Sequence, residues 1–402
     1  MATVLMVYRN DKKNKKDECP IHFRIIKNRV VSYIASGLMI HIDNWDTDKN
    51  KIKSKHPNSA RLNSFLSNKF TELQDRVFEN ETLSKTATNK QLKEKVYGKK
   101  PLDFFPFALA SNQEFEDAGK ISTFDKNKSI IEKLNKYTDG GRLTFQDITP
   151  DYLYKYEIYL RTTLHNQTNT CISSFKYISQ LFKKAYYRDL IDLSINPFNK
   201  FKLKEEKTQR SFLTEEELTK IENYPTTPGT KMEVHQDMFL FACSAGGVRV
   251  SDMLQLRWKN FDGSNLNITM KKTGGQVSIR VPDKAVTILN KYMPEKVDSN
   301  HFIFPMFAND LKTSDPRTLD TAISRGTTLI NNSLKDIAEK LKLNKPLSFH
   351  ISRHTWATRA LRKGISIDKV SKLMGHAQIR ETQIYAKIVN EELDKAMEVF
   401  NK

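Results

Sequence analysis

The stretch "HISRHTWATRALRKGISIDKVSKLMGHAQIRETQIYAK", His350–Lys387, groups basic, imidazole and phenol side chains in one short region. His350 and Arg353 are three residues apart, so they share a face if this segment is helical. A Gly-His pair ends at His376, and Tyr385 comes nine residues later on a segment of helical character. Each side chain alone has an ordinary explanation, because histidines and tyrosines are often packed in cores. Whether these side chains form a functional site depends on the groups that the rest of the chain places near them.

Two upstream segments add further cations. "SAGGVRVSDMLQLRW" places Arg249 directly after two glycines, where a helix is predicted to begin. "NLNITMKKTGGQVSIRVP" alternates apolar and polar residues on both sides of Gly274–Gly275, which predicts a β-hairpin with Lys271 and Lys272 at its turn end. The ordinary explanation applies here too, since arginines pair with carboxylates and hairpin lysines are usually solvated.

Together, these residue types suit the cleavage of a phosphodiester. Arg249 and Arg353 would hold the non-bridging oxygens, where charge accumulates as phosphorus becomes five-coordinate. A lysine would donate a proton to the leaving 5′-hydroxyl, and the histidines would assist proton transfer. Tyr385 would attack phosphorus and form a covalent intermediate. Because a phenol has an ordinary pKa of about 10, this nucleophile needs nearby cations or a base.

The region from residue 214 to residue 398 resembles the tyrosine recombinases, the phage integrase family. The resemblance lies in the order and approximate spacing of Arg249, Lys272, His350-x-x-Arg353, Gly375-His376 and Tyr385. It implies that the two arginines bind the scissile phosphate, that Lys272 is the general acid and that His350 and His376 assist. It also implies that Tyr385 forms a 3′-phosphotyrosyl bond. Lys271 stays an alternative to Lys272, because the sequence does not fix the hairpin register.

The function implied by this resemblance is site-specific DNA recombination, the integration or excision of a mobile element without a metal ion or other cofactor. Two departures are small: Asp252 stands where the family more often has glutamate, and Gly246–Gly247 stands where Thr-Gly is common. The "NWD" at Asn44–Asp46 adds a weaker likeness to integrases of conjugative and mobilisable elements of the Bacteroidetes type.

Four other activities fit some of these residues. A type IB topoisomerase uses similar residues to relax DNA, and a DNA-binding accessory factor would have lost catalysis altogether. A metal hydrolase is suggested by His350 and His354 at i,i+4, but Ile351 stands where a zincin motif requires glutamate. A two-metal nuclease would need clustered carboxylates, and these segments offer only Asp252. No metal site is therefore predicted.

The composition indicates a polyanionic partner. The chain has 402 residues with 66 Lys plus Arg against 47 Asp plus Glu, a formal charge of +19. No apolar run approaches the roughly 18 residues of a membrane span, and the apolar start Thr3–Tyr8 is too short for a signal peptide. Cys19, Cys171 and Cys243 form no CxxC pair, which fits a reducing compartment. We expect a cytoplasmic, nucleoid-associated protein that binds double-stranded DNA and no membrane.

The predicted architecture is multidomain. Residues 1–55 read as a small β-rich arm-type DNA-binding domain, because "CPIHFRII" alternates with Ile21, Phe23 and Ile25 on one side. Residues 56–103 are predicted to form a helical linker and residues 104–205 an all-α, SAM-like core-binding domain. Residues 206–402 are predicted to form a mainly α catalytic domain with a small β-hairpin. Two motifs mark the beginning of helices: Thr149 as N-cap before Pro150, and a capping box formed by Thr214 and Glu217.

Several charged or apolar surfaces are candidate contact sites. The predicted helix in "TNTCISSFKYISQLFKKAYYR" has a basic face that is either solvated or turned toward DNA, formed by Lys176, Lys183, Lys184 and Arg188. "DKKNKKDE", Asp11–Glu18, is a solvated hairpin tip or a phosphate-contacting loop. A C-terminal stripe would pack on its own domain or on a neighbouring protomer, through Leu393, Ala396, Met397 and Phe400.

The resemblance also implies partners. It predicts contacts with core sites and arm-type sites, a homotetramer on DNA, and a monomer or weak oligomer without DNA. Host DNA-bending or excision factors are further partners that such an integrase would use.

Overall fold

The structure, a computed structural model, describes residues 3–27, 29–83, 101–202, 205–206, 210–387 and 389. The chain divides into two units, Met1–Asn112 with Asn127–Glu205 and Gln113–Lys126 with Glu206–Lys402. In the part of the chain that is described, no helix is long and apolar enough to cross a bilayer. The predicted C-terminal stripe from Leu393 to Phe400 lies outside the described residues.

The N-terminal region is built on a three-stranded antiparallel sheet with β1 Thr3–Tyr8, β2 Glu18–Lys27 and β3 Val30–His41 in that order. The predicted alternation is confirmed, since Ile21, Phe23 and Ile25 are all buried. A small two-stranded ribbon follows, with β4 Trp45–Asp46 and β5 Lys51–Ile52. The Asp11–Glu18 segment joins β1 to β2, and within it the Lys13 ammonium pairs with the Asp17 carboxylate at 2.7 Å.

A long helix, α1 Ser59–Leu83, packs on this sheet. Its buried side chains Leu66, Leu73 and Val77 recur at helical spacing and join the same core as Phe23. Each such side chain contributes about 1.5–3 kcal/mol when it leaves water. The prediction of a linker from residue 56 was therefore wrong for α1, which packs on the N-terminal sheet. The reason is that a narrow apolar stripe within a mostly polar sequence is enough to dock the helix. Residues 84–100 of that predicted linker lie outside the described residues.

Four helices and an aromatic core follow: α2 Phe104–Asp117, α3 Ile121–Tyr137, α4 Pro150–Thr162 and α5 Thr168–Tyr187. The N-cap prediction is confirmed, since the Thr149 hydroxyl accepts from the Tyr152 amide at 3.2 Å and Pro150 opens α4. The rings that meet in this core include Phe104, Phe145, Tyr156, Phe175 and Phe182. Phe201 is also buried there against Phe175, so this core extends almost to the end of the predicted domain at residues 104–205.

The second unit contains most of the remaining elements, and the central helix among them is α7. The helices are α6 Glu215–Glu222, α7 Lys231–Ser244, α8 Val250–Met253, α9 Asp283–Tyr292, α10 Pro316–Lys340, α11 Phe349–Arg362 and α12 Ile367–Leu373. Buried residues cover α7 on most sides, and α9, α10 and α11 pack against it. The predicted capping box is confirmed, since Thr214 and Glu217 exchange hydrogen bonds at the start of α6.

The predicted hairpin is also confirmed, as β6 Asn265–Thr269 pairing with β7 Gln276–Arg280. Leu266 faces Ile279 across the ladder and both are buried, whereas Lys271 and Lys272 lie in the exposed turn after β6. Met270, directly after β6, is buried, and its sulfur contacts Arg249. The hairpin therefore presents two lysines next to a buried anchor.

Candidate active site

Arg353 is fixed inside the second unit by two backbone carbonyls. It lies on α11 and is 3% exposed. Its Nη1 donates to the Gly247 carbonyl at 2.7 Å and its Nη2 to the Met374 carbonyl at 2.6 Å. Gly247 has φ +61°, and a Cβ there would lie 3.2 Å from the Arg353 Cα. Glycine thus permits both the turn and the close approach, and a guanidinium with five N–H groups still has donors left for an anion.

Arg249 follows the same glycine turn and occupies the N-cap position of α8. Its Nη1 lies 3.4 Å from the Met270 Sδ, which ties it to the end of the hairpin. Arg249, His350 and Arg353 line one cavity of about 170 Å³ together with Val248, Val250, Ser251 and Phe349. Two guanidiniums and an imidazole around one small cavity form a site for a single anionic group.

His376 lies on a second glycine turn against the hairpin. Gly375 has φ +61°, and a Cβ there would come within 2.9 Å of the Met270 Cε. The His376 Nδ1 is 2.7 Å from the Thr382 hydroxyl. Burial lowers the pKa of His376 to about 3, and the positive charges of Arg353 and Arg249 act in the same direction. This histidine is therefore neutral at pH 7.

His350 and His354 lie side by side on α11, with ring centroids 4.5 Å apart and planes nearly perpendicular. Burial lowers the pKa of His350, and the neighbouring Arg353 lowers it further. Burial likewise lowers the pKa of His354 to about 3, helped by its interaction with His350. Both imidazoles are thus held in the form that can accept a proton.

Tyr385, in the helical stretch 383–387, is 1% exposed. Its ring packs in a small cluster with Trp356 and Met374. The phenol oxygen lies 2.8 Å from the His354 Nδ1 and 3.4 Å from the Arg210 Nη1. Burial raises the pKa of Tyr385, while the positive charge of Arg210 opposes that rise. In this state the phenol is protonated, and it donates to the neutral imidazole.

The two hairpin lysines differ in their surroundings. The Lys271 amide donates to the Asp252 Oδ1 at 2.9 Å, and its ammonium lies 3.8 Å from the Asp320 carboxylate. Within the described residues Lys272 forms no ion pair, and its positive charge contributes to the lowered pKa values of His350 and His376. Burial raises the pKa of Asp252, whose other oxygen has no hydrogen-bond partner among the described residues.

The structure thus brings the predicted residues Arg249, Lys272, His350, Arg353, His376 and Tyr385 into one region. Two further groups there were not assigned from the sequence. The sequence suggests His354 only as a metal ligand, through its i,i+4 spacing from His350. Arg210 had no local signal, because it ends a run of charged residues. Among the residues described, no group of His, Cys, Asp and Glu is arranged to hold a metal ion.

The candidate DNA-facing residues lie on or just after α5. Lys183 and Arg188 are exposed, and Lys176 pairs with Glu205. Lys184 is half-buried and donates to the Ser111 carbonyl at 3.4 Å, so it is turned toward its own domain. The buried face of the helix is formed by residues that include Cys171, Phe175, Ile178 and Phe182.

Comparison with known families gives three adjacent matches. Residues 211–392 match the phage integrase family, residues 103–203 the phage integrase SAM-like domain, and residues 6–93 the arm DNA-binding domain. The last match extends past residue 55 and covers α1, in agreement with its packing on the sheet. The matches confirm the predicted fold class: a small β-rich arm-binding domain, an all-α core-binding domain and a mainly α catalytic domain.

Individual relatives are distant but cover most of the chain. The chain is 24% identical over 290 residues to tyrosine recombinase XerA of Pyrococcus horikoshii. This alignment covers 68% of this chain and 93% of that protein. The chain is 28% identical over 304 residues to tyrosine recombinase XerC of Oceanobacillus iheyensis, spanning 69% and 93%.

Solved structures give a likeness of fold. The Tn1549 transposon integrase in complex with a circular intermediate DNA aligns with a TM-score of 0.53 at 16% identity, covering 71% of this chain and 95% of that one. A lambda integrase dimer bound to a COC' core site aligns with a TM-score of 0.50 at 16% identity, covering 93% of each chain.

Proposed function

Because this chain belongs to the phage integrase family of tyrosine recombinases, we propose that its clustered residues cleave and rejoin DNA strands through a 3′-phosphotyrosyl intermediate. The activity of the chain is site-specific recombination of DNA. The observation that carries the assignment of residues is the cavity lined by Arg249, His350 and Arg353. It offers fixed positive charge where the non-bridging oxygens of one phosphodiester would develop negative charge.

Arg249 and Arg353 bind the scissile phosphate in this proposal. Arg353 is already held by two carbonyls, so little reorganisation is needed when charge develops at phosphorus. His350 shares the cavity, and His376 interacts electrostatically with both arginines. The neutral state of these histidines allows them to accept a proton or donate an N–H to the phosphate.

Lys272 is the general acid for the leaving 5′-oxygen. Its charge reaches His350 and His376, whereas Lys271 is engaged with Asp252 and Asp320. This difference supports Lys272 over Lys271. As the Tyr385 oxygen bonds to phosphorus, the bond from phosphorus to the 5′-oxygen breaks, and the ammonium of Lys272 supplies the proton that this oxygen requires.

Tyr385 has to lose its proton and reach the cavity. The His354 Nδ1, 2.8 Å from the phenol oxygen, is in place to accept that proton. The negative charge of an incoming phosphate raises the pKa of the nearby imidazoles and makes them better bases. The phosphotyrosyl bond conserves the energy of the broken phosphodiester, so a 5′-hydroxyl from another strand can reverse the reaction.

A covalent trap tests this assignment. Duplexes that carry a nick within random sequence are incubated with the protein, and DNA-linked protein is recovered on a denaturing gel and sequenced. Release of a short fragment at the nick makes cleavage irreversible. We expect the wild type and Tyr224→Phe, a half-buried tyrosine of the same unit, to form the adduct. Tyr385→Phe should bind DNA and form none, and an adduct with Tyr385→Phe would contradict the assignment.

The domain matches support partners of two kinds. We place an arm-binding domain through α1, a core-binding domain at residues 104–205 and the catalytic domain at residues 206–402, so that one chain contacts arm-type and core sites. Lys183 on α5 and Arg188 directly after it are exposed, and we assign them to DNA contact. Assembly as a homotetramer on DNA, from a monomer or weak oligomer, completes the proposal. We also propose that the protein acts on a mobile element of the Bacteroidetes type. It would act at the nucleoid in the cytoplasm, together with host DNA-bending or excision factors.

The arm DNA-binding match also bears on the alternatives. A second DNA-binding domain serves exchange between distant sites, and it has no evident use in topoisomerase-like relaxation. A catalytically silent accessory factor has no requirement for Lys272 or Tyr385, yet both are present and interact electrostatically with His350 and Arg353 respectively. We therefore retain recombination as the function and keep no second candidate.

A further inference from the structure

Arg210 contacts the nucleophile from outside the region that matches the phage integrase family, which begins at residue 211. In the sequence it lies four residues before Thr214, the N-cap of α6, and it belongs to the second unit. Its Nη1 is 3.4 Å from the Tyr385 hydroxyl, and its Cζ lies 6.0 Å from the centroid of the Tyr385 ring. A guanidinium from the start of the catalytic unit thus reaches the group that is to attack phosphorus.

The phenol oxygen is held from two sides. His354 is neutral near pH 7, because burial lowers its pKa to about 3. Its Nδ1 therefore accepts from the phenol O–H, and the Arg210 N–H donates to the same oxygen. With one acceptor and one cationic donor, the oxygen has a fixed direction, while the ring is fixed by packing against Trp356 and Met374.

The charge of Arg210 acts on the rest of the centre as well. It lowers the pKa values of His350, His354 and His376. Among the described residues, the charges that act most strongly on Tyr385 are Arg210 and Arg353, which favour the anionic oxygen, and Glu381, which disfavours it. The positive charge of Arg210 opposes the effect of burial on the pKa of Tyr385 more strongly than that of Arg353, which binds phosphate in the proposed mechanism.

We propose that Arg210 is a positioning residue for Tyr385: it directs the phenol oxygen and stabilises the negative charge that this oxygen gains as it gives up its proton. The inference rests on the proposed function, since it concerns the step in which Tyr385 attacks phosphorus. Arg210 would act through the tyrosine oxygen and would not contact the phosphate.

The test separates activation of the nucleophile from protonation of the leaving group. Single-turnover cleavage is measured on the nicked duplex recovered by the covalent trap, with either oxygen or sulfur at the bridging 5′ position. A 5′-thiolate leaves without a general acid, so Lys272→Ala should recover on the sulfur substrate. Arg210→Gln should lose about 10- to 100-fold on both substrates, as expected for one hydrogen bond to a charged group. DNA affinity should stay within about threefold of the wild type, because one neutralised charge among many phosphate contacts changes binding little.

Two further readouts identify how Arg210 acts. The pH–rate profile of Arg210→Gln should shift to higher pH, because the phenol loses a group that favours its anionic form. Replacing Tyr385 by a fluorotyrosine of lower phenol pKa should restore part of the lost rate, and Arg210→Lys should lie between the wild type and Arg210→Gln. Arg257→Gln is the matched control, since Arg257 also packs over an aromatic ring, with its Cζ 4.0 Å from the centroid of Phe302.

Several results would overturn the inference. These are an Arg210→Gln rate equal to the wild type, an equal loss in Arg257→Gln, or full recovery of Arg210→Gln on the sulfur substrate. A faster Arg210→Gln enzyme would show that Arg210 only restrains the tyrosine, and would also overturn it. If the wild type itself forms no adduct through Tyr385, the proposed function fails instead, so the two failures are distinct.

Discussion

Around the Arg249–Arg353 cavity, the pKa values of single side chains reflect burial first and mutual repulsion second. Burial lowers the pKa of Arg353 to about 10, and the nearby charge of Arg249 acts in the same direction. Burial and the positive charges of the two arginines also lower the pKa values of His350 and His376, which keeps both imidazoles neutral. A phosphodiester anion relieves this repulsion, so the residues interact with it more favourably than an isolated arginine in water would.

The two arginines should respond differently to truncation. Arg249→Ala should reduce adduct formation about 10²- to 10³-fold, because it removes a fixed charge at the reacting phosphate. DNA affinity should change little, and the melting temperature should be close to that of the wild type. Arg353→Ala should lose activity and also melt at a lower temperature, because the buried carbonyls of Gly247 and Met374 lose their donor. A large, equal loss of DNA affinity in both variants would contradict these roles.

The neutral histidines should make the stability of the catalytic domain depend on pH. His354 and His376 have pKa values of about 3 and His235 about 4, each lowered mainly by burial. The unfolded chain binds protons at these sites already below about pH 6.5, whereas the folded chain does not. The free energy of unfolding should therefore fall as pH drops from about 6.5 toward 4.

Melting curves at pH 7.5 and pH 5 measure this effect. His376→Gln should show a smaller loss on acidification than the wild type, because one of the contributing groups is gone. His301→Gln replaces a histidine whose side chain is 46% exposed, and it serves as the control with an unchanged loss. Equal pH dependence of the wild type and His376→Gln would refute the attribution to this histidine.

At the scale of elements, two glycine turns and the end of one hairpin assemble the centre. The turn at Gly247 lies against α11, and the turn at Gly375 lies against Met270. Met270 in turn contacts Arg249. The relative placement of α11, the hairpin and the His376 turn thus depends on close backbone approach, which a side chain at either glycine would prevent.

Gly375→Ala should impair both stability and catalysis. A non-glycine residue at φ +61° costs about 1–2 kcal/mol, and the added Cβ would also displace Met270 and the lysine turn that follows it. Gly364→Ala is the matched control, since Gly364 has φ +82° with no atom within 4 Å of an added Cβ. Gly364→Ala should lower the melting temperature and leave the cleavage rate unchanged. Equal cleavage rates for the two variants would argue against the role of the Met270 contact.

The sequence predicted those parts of the molecule that have local signals. The alternation around Phe23, the Thr149 N-cap, the Thr214 capping box and the β6–β7 hairpin are all confirmed. It did not predict that α1 packs on the sheet, because the docking stripe lies in a polar sequence.

The site shows the same limit. Spacing singled out the residues from Arg249 to Tyr385, whereas the contact from Arg210 to Tyr385 joins residues that are far apart in the chain, and only tertiary structure brings them together. The burial of Tyr385 was not predicted either, because a tyrosine on a helix has no sequence signal for its direction.

At the scale of the whole molecule, positive charge exceeds what the catalytic centre requires. The chain has a formal charge of +19, and three consecutive matches to DNA-binding or recombinase families cover most of its length. The charge therefore serves DNA contact along the chain as well as chemistry at one phosphate.

Binding should weaken steeply with salt. The logarithm of the association constant should fall with the logarithm of salt concentration by about 0.9 per phosphate neutralised. Lys183→Gln should reduce that slope by about 0.9, since its exposed ammonium is available for a phosphate. Lys176→Gln should change it less, because Lys176 pairs with Glu205. Fluorescence anisotropy titrations at several salt concentrations give the slopes, and a flat response in the wild type would contradict the role of the charge.

The two hydrogen bonds that orient Arg353 join distant parts of the polypeptide. One carbonyl comes from Gly247 and the other from Met374, so neither a nascent chain nor a proteolytic fragment lacking one of these turns can orient the guanidinium. In the proposed mechanism, cleavage of a DNA strand therefore requires a chain in which both turns have folded against α11.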